Sequence, residues 1–149
     1  MIILDTHAWI WWVSESNKLS ATALQTIMQA TEPIGIHPIS CWEVAMLVSK
    51  NRLQFNRDVG DWVDLALQRP NLRLLPVSAQ EAVLAARLPG NFHGDPADRF
   101  LAAACLTHQA TLISTDQFIH AWGRIRNLGF QSPVFFGSPC PALASSPRK

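Results

Sequence analysis

The 149-residue chain has little that would commit it to a membrane, an oxidising compartment or a strongly charged partner. Its cysteines number three, Cys41, Cys105 and Cys140. The odd count, with two of the three inside apolar helical patterns, excludes a disulfide framework and predicts reduced thiols in a cytoplasmic protein. No apolar run is long enough to span a bilayer, Ala8 to Val13 falling far short, and the opening MIILD carries no basic lead, so a soluble, unprocessed chain without membrane contact is expected. Charge of either sign is balanced at a net +1, so no overall positive field points to nucleic acid, and such a partner would need a local patch. None of the five histidines shows zinc spacing, and there are no repeats.

What is present is an alternation of short β-rich runs and helical patterns. Ile2 to Leu4, Ile34 to Ile36, Leu72 to Val77, Thr111 to Ser114 and Val134 to Phe136 read as strands. Between them lie helical stretches: Thr6 to Val13, Ala21 to Ala30 capped by Ser20, one running to Lys50 with Asn51 as a left-handed stop, the Val59/Trp62/Val63/Ala66 stripe ended by Pro70, and Ser78 to Leu88. The organising stretch is His93 to Asp116. There Asp95 is placed as N-cap, Pro96 as first helical residue and Asp98 in the first turn of a helix too apolar to lie half in water. This pattern predicts an α/β domain over residues 1–137 with a parallel sheet covered on both faces, followed by a Pro/Ser/Ala-rich mobile tail over 138–149. In such a sheet, sites form at the carboxyl edge of the strands, where strand order reverses.

Four acids fall at that edge: Asp5 after the first strand, Glu43 near the head of the helix after the second, Asp98 at the head of the central helix, and Asp116 after the fourth strand. Each has a structural explanation as a cap or dipole partner, Glu43 through a Ser40-x-x-Glu43 capping box. As a set they repel one another wherever they converge, and a bound cation would resolve that cost. Carboxylates without a Cys or His cluster suit Mg²⁺ or Mn²⁺. Thr6, Ser114 and Thr115 are candidates to orient those carboxylates, and Asp95 is a cap that is also a candidate for a water-mediated metal contact. Arg99 would either neutralise phosphate or pair with Asp95 four residues earlier. Glu81, in a second box with Ser78, is predicted to be structural, Asp58, Asp61 and Asp64 to form a solvated face, His7 to lie on a helix face and His93 to belong to a turn. Of Trp9, Trp11 and Trp12, helical spacing puts Trp11 opposite the other two, which favours an interface role for it.

The Asp5-Thr6 start, the Ser40/Glu43 pair, Asp95-Pro96-Ala97-Asp98-Arg99 with its Ala-rich helix, and Ser114-Thr115-Asp116 together resemble the PIN-domain ribonucleases. DTHAWIWW and DPADR are particularly similar to the VapC toxins of bacterial toxin-antitoxin pairs. The resemblance covers about residues 1 to 136. It implies a three-layer α/β/α sandwich with strand order 3-2-1-4-5, and Asp5, Glu43, Asp98 and Asp116 around Mg²⁺, with Asp5 and Asp98 closest. It further implies cleavage of single-stranded RNA, a homodimer, and inhibition by a cognate VapB-like antitoxin in a heterotetramer or larger assembly, with the helix pair from Cys41 to Gln68 as a partner surface.

Two rival classes fit the chain less well. Aspartyl-phosphate chemistry also places an Asp after a first strand, but a haloacid-dehalogenase pattern wants Asp where His7 stands, and a receiver domain wants a late lysine where the chain has only Lys18, Lys50 and Lys149. A catalytically inactive PIN-like scaffold acting through protein binding is the other, and acids at all four positions speak against it.

Overall fold

The computed structural model describes residues 1–128. In chain order they form β1 (Ile2–Leu4), α1 (Thr6–Ser14), a single 3₁₀ turn (Ser16–Lys18), α2 (Ala21–Met28), β2 (Ile34–Ile36), α3 (Pro38–Ser49), α4 (Val59–Leu67), β3 (Leu72–Leu74), α5 (Ala79–Ala86), α6 (Pro96–His108), β4 (Thr111–Ile113), α7 (Gln117–Trp122) and β5 (Arg126–Leu128). The sheet is wholly parallel, in the order β3-β2-β1-β4-β5, with Ile3 opposite both Gly35 and Leu112. Strand order therefore reverses between β1 and β4.

Strand alternation sends successive side chains to opposite faces and so builds two cores. On one face Leu4, Ile34, Ile36 and Ile113 pack with Trp9, Val44, Trp62 and Ala66 from α1, α3 and α4. On the other, Ile3, Leu75 and Leu112 meet Leu101, Ala104 and Cys105 of α6 and Ile119 of α7. The result is the expected three-layer sandwich. Gly35 lets the layers close, since a Cβ there would lie 2.9 Å from Leu75 Cδ1 and 3.2 Å from Ile3 Cγ1. Small residues do the same in α6, whose Ala102 and Ala103 bring it against Ala85 of α5.

Several expectations change on contact with the structure. Trp11 is buried in the first core, with the Lys18 ammonium 5.9 Å from its ring centre, so it is no interface residue: the 3₁₀ turn that follows α1 folds back over it. Trp9 is wholly enclosed against Trp62, and Trp12 is half-buried under the Arg69 guanidinium. The third strand stops at Leu74, because Pro76 supplies no N–H to continue a ladder. The fifth strand is Arg126–Leu128. The expected strand at 134–136, the tail over 138–149 and Cys140 lie outside the described residues. Asn51 does end its helix with a positive φ of 54°, and Asp58, Asp61 and Asp64 are exposed, Asp58 also capping α4. Among the described residues no helix is long and apolar enough to cross a membrane.

Candidate functional site

The carboxyl ends of β1 and β4 deliver two acids by the same device. Asp5 follows β1, its N–H still held by Ile113 O at 3.1 Å, and its Oδ1 then accepts from Ala8 N at 2.6 Å to cap α1. Asp116 caps α7 through Oδ1, accepting from Phe118 N at 2.8 Å and Ile119 N at 2.9 Å. Ser114, fully buried between them, accepts from Asp116 N at 3.0 Å and hydrogen-bonds the Asp5 carboxylate. One hydroxyl thus fixes two acids. Thr115 is half-buried beside it.

Asp98 arrives from the other side of the crevice. Asp95 caps α6 as its sequence predicts, accepting from Asp98 N at 3.1 Å, with Pro96 at the first helical position. That leaves the Asp98 carboxylate free in the first turn. Glu43 reaches the site from α3, where the Thr6 hydroxyl donates to its Oε2.

The Ser40-x-x-Glu43 box does not form. His37 caps α3 instead, its Nδ1 accepting from Ile39 N at 3.0 Å, and Pro38 takes the first helical position. Ser40 is therefore inside the helix, buried and without a hydrogen-bond partner for its Oγ. Freed from capping, Glu43 is available to the crevice. Glu81 departs from a simple cap in another way. Its backbone N–H is bonded to Ser78 Oγ at 3.0 Å, but its buried carboxylate accepts from His37 Nε2 at 2.8 Å, with His108 Nε2 at 3.7 Å. The pair ties the heads of α3 and α5 together, and burial holds the His37 imidazole below its ordinary range.

Arg99 neither pairs with Asp95 nor stands free for phosphate. Its guanidinium donates to four carbonyls, Ala85 and Ala86 at the end of α5 and Phe92 and His93 in the turn before α6, at 2.8 to 3.1 Å. Backbone carbonyls claimed it because the turn from α5 to α6 leaves them without a ladder.

Electrostatics shows how closely the acids gather. Burial, then Asp116, Asp95, Glu43 and Asp5 in that order, push the Asp98 carboxyl up to about 8. Burial likewise raises Asp5, partly offset by His7 and by the Ser114 and Ala8 bonds, and raises Glu43 against the Thr6 bond. Like charges in low dielectric disfavour the ionised form, and a nearby cation reverses that preference.

His93 is the residue that sequence reasoning left in a turn. Its Nδ1 lies 3.4 Å from Asp95 N, which turns Nε2 to within 3.4 Å of Asp98 Oδ2. Nε2 is buried with no hydrogen-bond partner, and ligand atoms of His93, Asp98 and Asp116 all lie within 4.8 Å of one another. Two carboxylates and an imidazole at that spacing fit one divalent ion; to ligate through Nε2 the ring moves its proton to Nδ1 and gives up the 3.4 Å bond that Nδ1 accepts from Asp95 N. Asp5 and Glu43 stand outside this compact group, and Asp95 is spent as a cap. The available signal for His93 was its place two residues before an N-cap.

Comparison with known proteins agrees with this fold. Residues 2–121 match the PIN domain family model. The chain belongs to the PIN-domain family. Over 116 residues it is 33% identical to Ribonuclease VapC22 of Mycobacterium tuberculosis, covering 78% of this chain and 87% of that protein. Its fold is similar to VapBC2 from Rickettsia felis bound to a DNA fragment from its promoter, with a TM-score of 0.64 and 17% identity over 88% of this chain and all of the other. It is similar too to FitAB bound to the IR36 DNA fragment, with a TM-score of 0.59 and 19% identity over 87% of this chain and 94% of the other.

Proposed function

We propose that this protein is a Mg²⁺- or Mn²⁺-dependent endoribonuclease that cuts single-stranded RNA, acting in the cytoplasm as the toxin of a type II toxin-antitoxin pair. The observation that carries the proposal is the gathering of Asp98, Asp116, Asp5 and Glu43 at the β1/β4 crevice, with Asp98 raised to about 8 chiefly by burial and secondarily by the other acids. Asp98, Asp116 and His93 are the residues that would hold a divalent ion, and Asp5 and Glu43 complete the negative surround. When bound, such an ion acidifies water and offsets charge on a phosphodiester.

The chain's own groups do the rest. Thr6 holds Glu43 by Oε2, which leaves Oε1 to accept a proton from the attacking water. Ser114 keeps Asp5 and Asp116 in register beside the crevice. Arg99 fixes the turn that carries His93. A cognate VapB-like antitoxin is the proposed partner of a homodimer, in a heterotetramer or larger assembly. Exposed Trp42 of α3 and Leu65 of α4 support a protein-binding surface on that helix pair.

The test uses purified protein and single-stranded RNA. Cleavage is expected with Mg²⁺ and not with EDTA, and the double variant Asp5→Asn/Asp98→Asn is expected to cut nothing detectable. Full activity in that variant would refute the proposal.

A further inference from the structure

Beside the acids, a cleft of about 360 Å³ opens between the turn before α6 and the outer side of α7. Its walls are Phe92, His93, Phe118 and Trp122, with Gly90 and Arg124 at its rim. The volume is at the lower end of the range for small-ligand sites. We propose that this cleft holds, by stacking, one nucleobase of the RNA strand, next to the phosphate at the acidic crevice. The proposal rests on the ribonuclease reading above and adds to it where the substrate's base lies and which residues grip it.

Continuity with the crevice comes first. His93 belongs to both places, its Nε2 facing Asp98 and its ring forming a wall of the cleft. Phe118 follows Asp116 by two residues, and its N–H is one of the two that Asp116 caps. A nucleotide bound at the acids therefore has the cleft one residue's reach away.

The apolar surface there is open where packing would close it. Phe118 is 71% exposed although the next residue of its helix, Ile119, is wholly buried. Among the described residues its ring meets only the ring of His93, tilted at 55° with centroids 5.4 Å apart, so aromatic surface is left open to solvent. Aromatic faces offered this way are what unpaired bases stack on, with little regard to base identity.

The remaining walls are rigid. Trp122 Nε1 donates to Pro89 O at 2.9 Å, Phe92 meets Trp122 edge-on at 4.8 Å and stacks on His93 at 4.7 Å, and Arg99 grips the carbonyls of Phe92 and His93. Walls fixed before binding spare the ligand the entropy of ordering them. Charge fits as well. Arg124 makes no ion pair among the described residues, and its guanidinium lies beside Gly90, where a Cβ would be 3.6 Å from Nε. A cation at the rim is placed for the next phosphate of a strand whose base is in the cleft, and offsets the repulsion from the acids.

The test is steady-state cleavage of a random-sequence single-stranded RNA pool with Mg²⁺, comparing wild type with Phe118→Ala, Phe118→Trp and Arg124→Gln. It is joined by binding in EDTA of the same RNA and of an abasic strand of equal length. Phe118→Ala is expected to raise KM and to weaken RNA binding about ten-fold, the size of one lost stacking contact, with kcat held and abasic binding unchanged. Phe118→Trp is expected to retain both. Arg124→Gln is expected to weaken RNA and abasic strand alike and to lower the salt slope by about one. Because Phe118 is exposed, its variants keep their fold, which circular dichroism checks.

If wild type cuts and Phe118→Ala matches it in KM and binding, the cleft proposal alone is overturned. Loss of binding to a protein partner with RNA binding intact would overturn it too, and assign the cleft to protein docking. If wild type cuts no RNA with Mg²⁺, the underlying ribonuclease reading falls and takes this one with it.

Discussion

At neutral pH the Asp98 carboxyl of the metal-free protein still holds its proton, because its pKa is raised from 3.8 to about 8. The sign of the linkage follows. An acid whose folded pKa lies above its unfolded value binds more protons when folded, so stability is fullest below about pH 4 for this group and declines as pH rises towards 8. Thermal unfolding followed in EDTA should show a midpoint that falls between pH 5 and pH 8. Asp98→Asn, which cannot ionise, should flatten that fall. A midpoint that rises over this range and is indifferent to the substitution would show that the crevice is not the source. Residue by residue, the acids at strand ends were legible because a β-rich run followed by Asp is a local signal. His93 was not, since the aim of an imidazole depends on a turn whose geometry only the Arg99 clamp sets.

That clamp belongs to the scale of elements. Arg99 draws together the end of α5, the turn and α6, donating to carbonyls that have no other partner among the described residues. Arg99→Ala leaves several of them unsatisfied and removes packing against Phe92, at a cost of about 1–3 kcal/mol per buried orphan group. Denaturant titration should show a loss of at least one such increment, and Arg99→Lys should recover only part of it because ammonium lacks the planar fork. Unchanged stability would mean that water replaces the guanidinium. Helix heads show how far local sequence signals carry. Asp95-Pro96 was decisive because cap and first residue are adjacent in sequence. Ser40-x-x-Glu43 matched a capping pattern yet failed, because Pro38 starts the helix earlier and a histidine can cap through Nδ1. Trp11 was misplaced for a comparable reason: periodicity gives the side of a helix, not the segment that later covers it.

For the whole molecule, the metal binding proposed above would couple to stability. A ligand that binds only the folded chain raises its stability by about 2.7 kcal/mol at a hundred times its dissociation constant. Mg²⁺ or Mn²⁺ should therefore raise the unfolding midpoint of this protein, and more at pH 8 than at pH 5, where Asp98 is protonated and competes. Equal stabilisation at both pH values, or none, would argue against ion binding by these acids. The parallel sheet covered on both faces followed from alternating patterns over a hundred residues, a signal strong enough to survive local errors, whereas the strand order came with the family resemblance. The strand Arg126–Leu128 was not legible because it is short and two of its three residues are polar, while the apolar run at 134–136 that was expected as a strand lies outside the described residues.

Asp5 and Asp116 each close a helix end through one carboxylate oxygen, Oδ1. An amide at either position retains the acceptor that closes the helix while giving up the negative charge. On the nuclease-toxin reading proposed above, a lineage would thus lose cutting by a single Asp-to-Asn exchange without loosening its fold, and go on occupying the same inhibitor. Inert copies of this protein would then act as sponges for the antitoxin, sharing their active relatives' shape and differing by one atom.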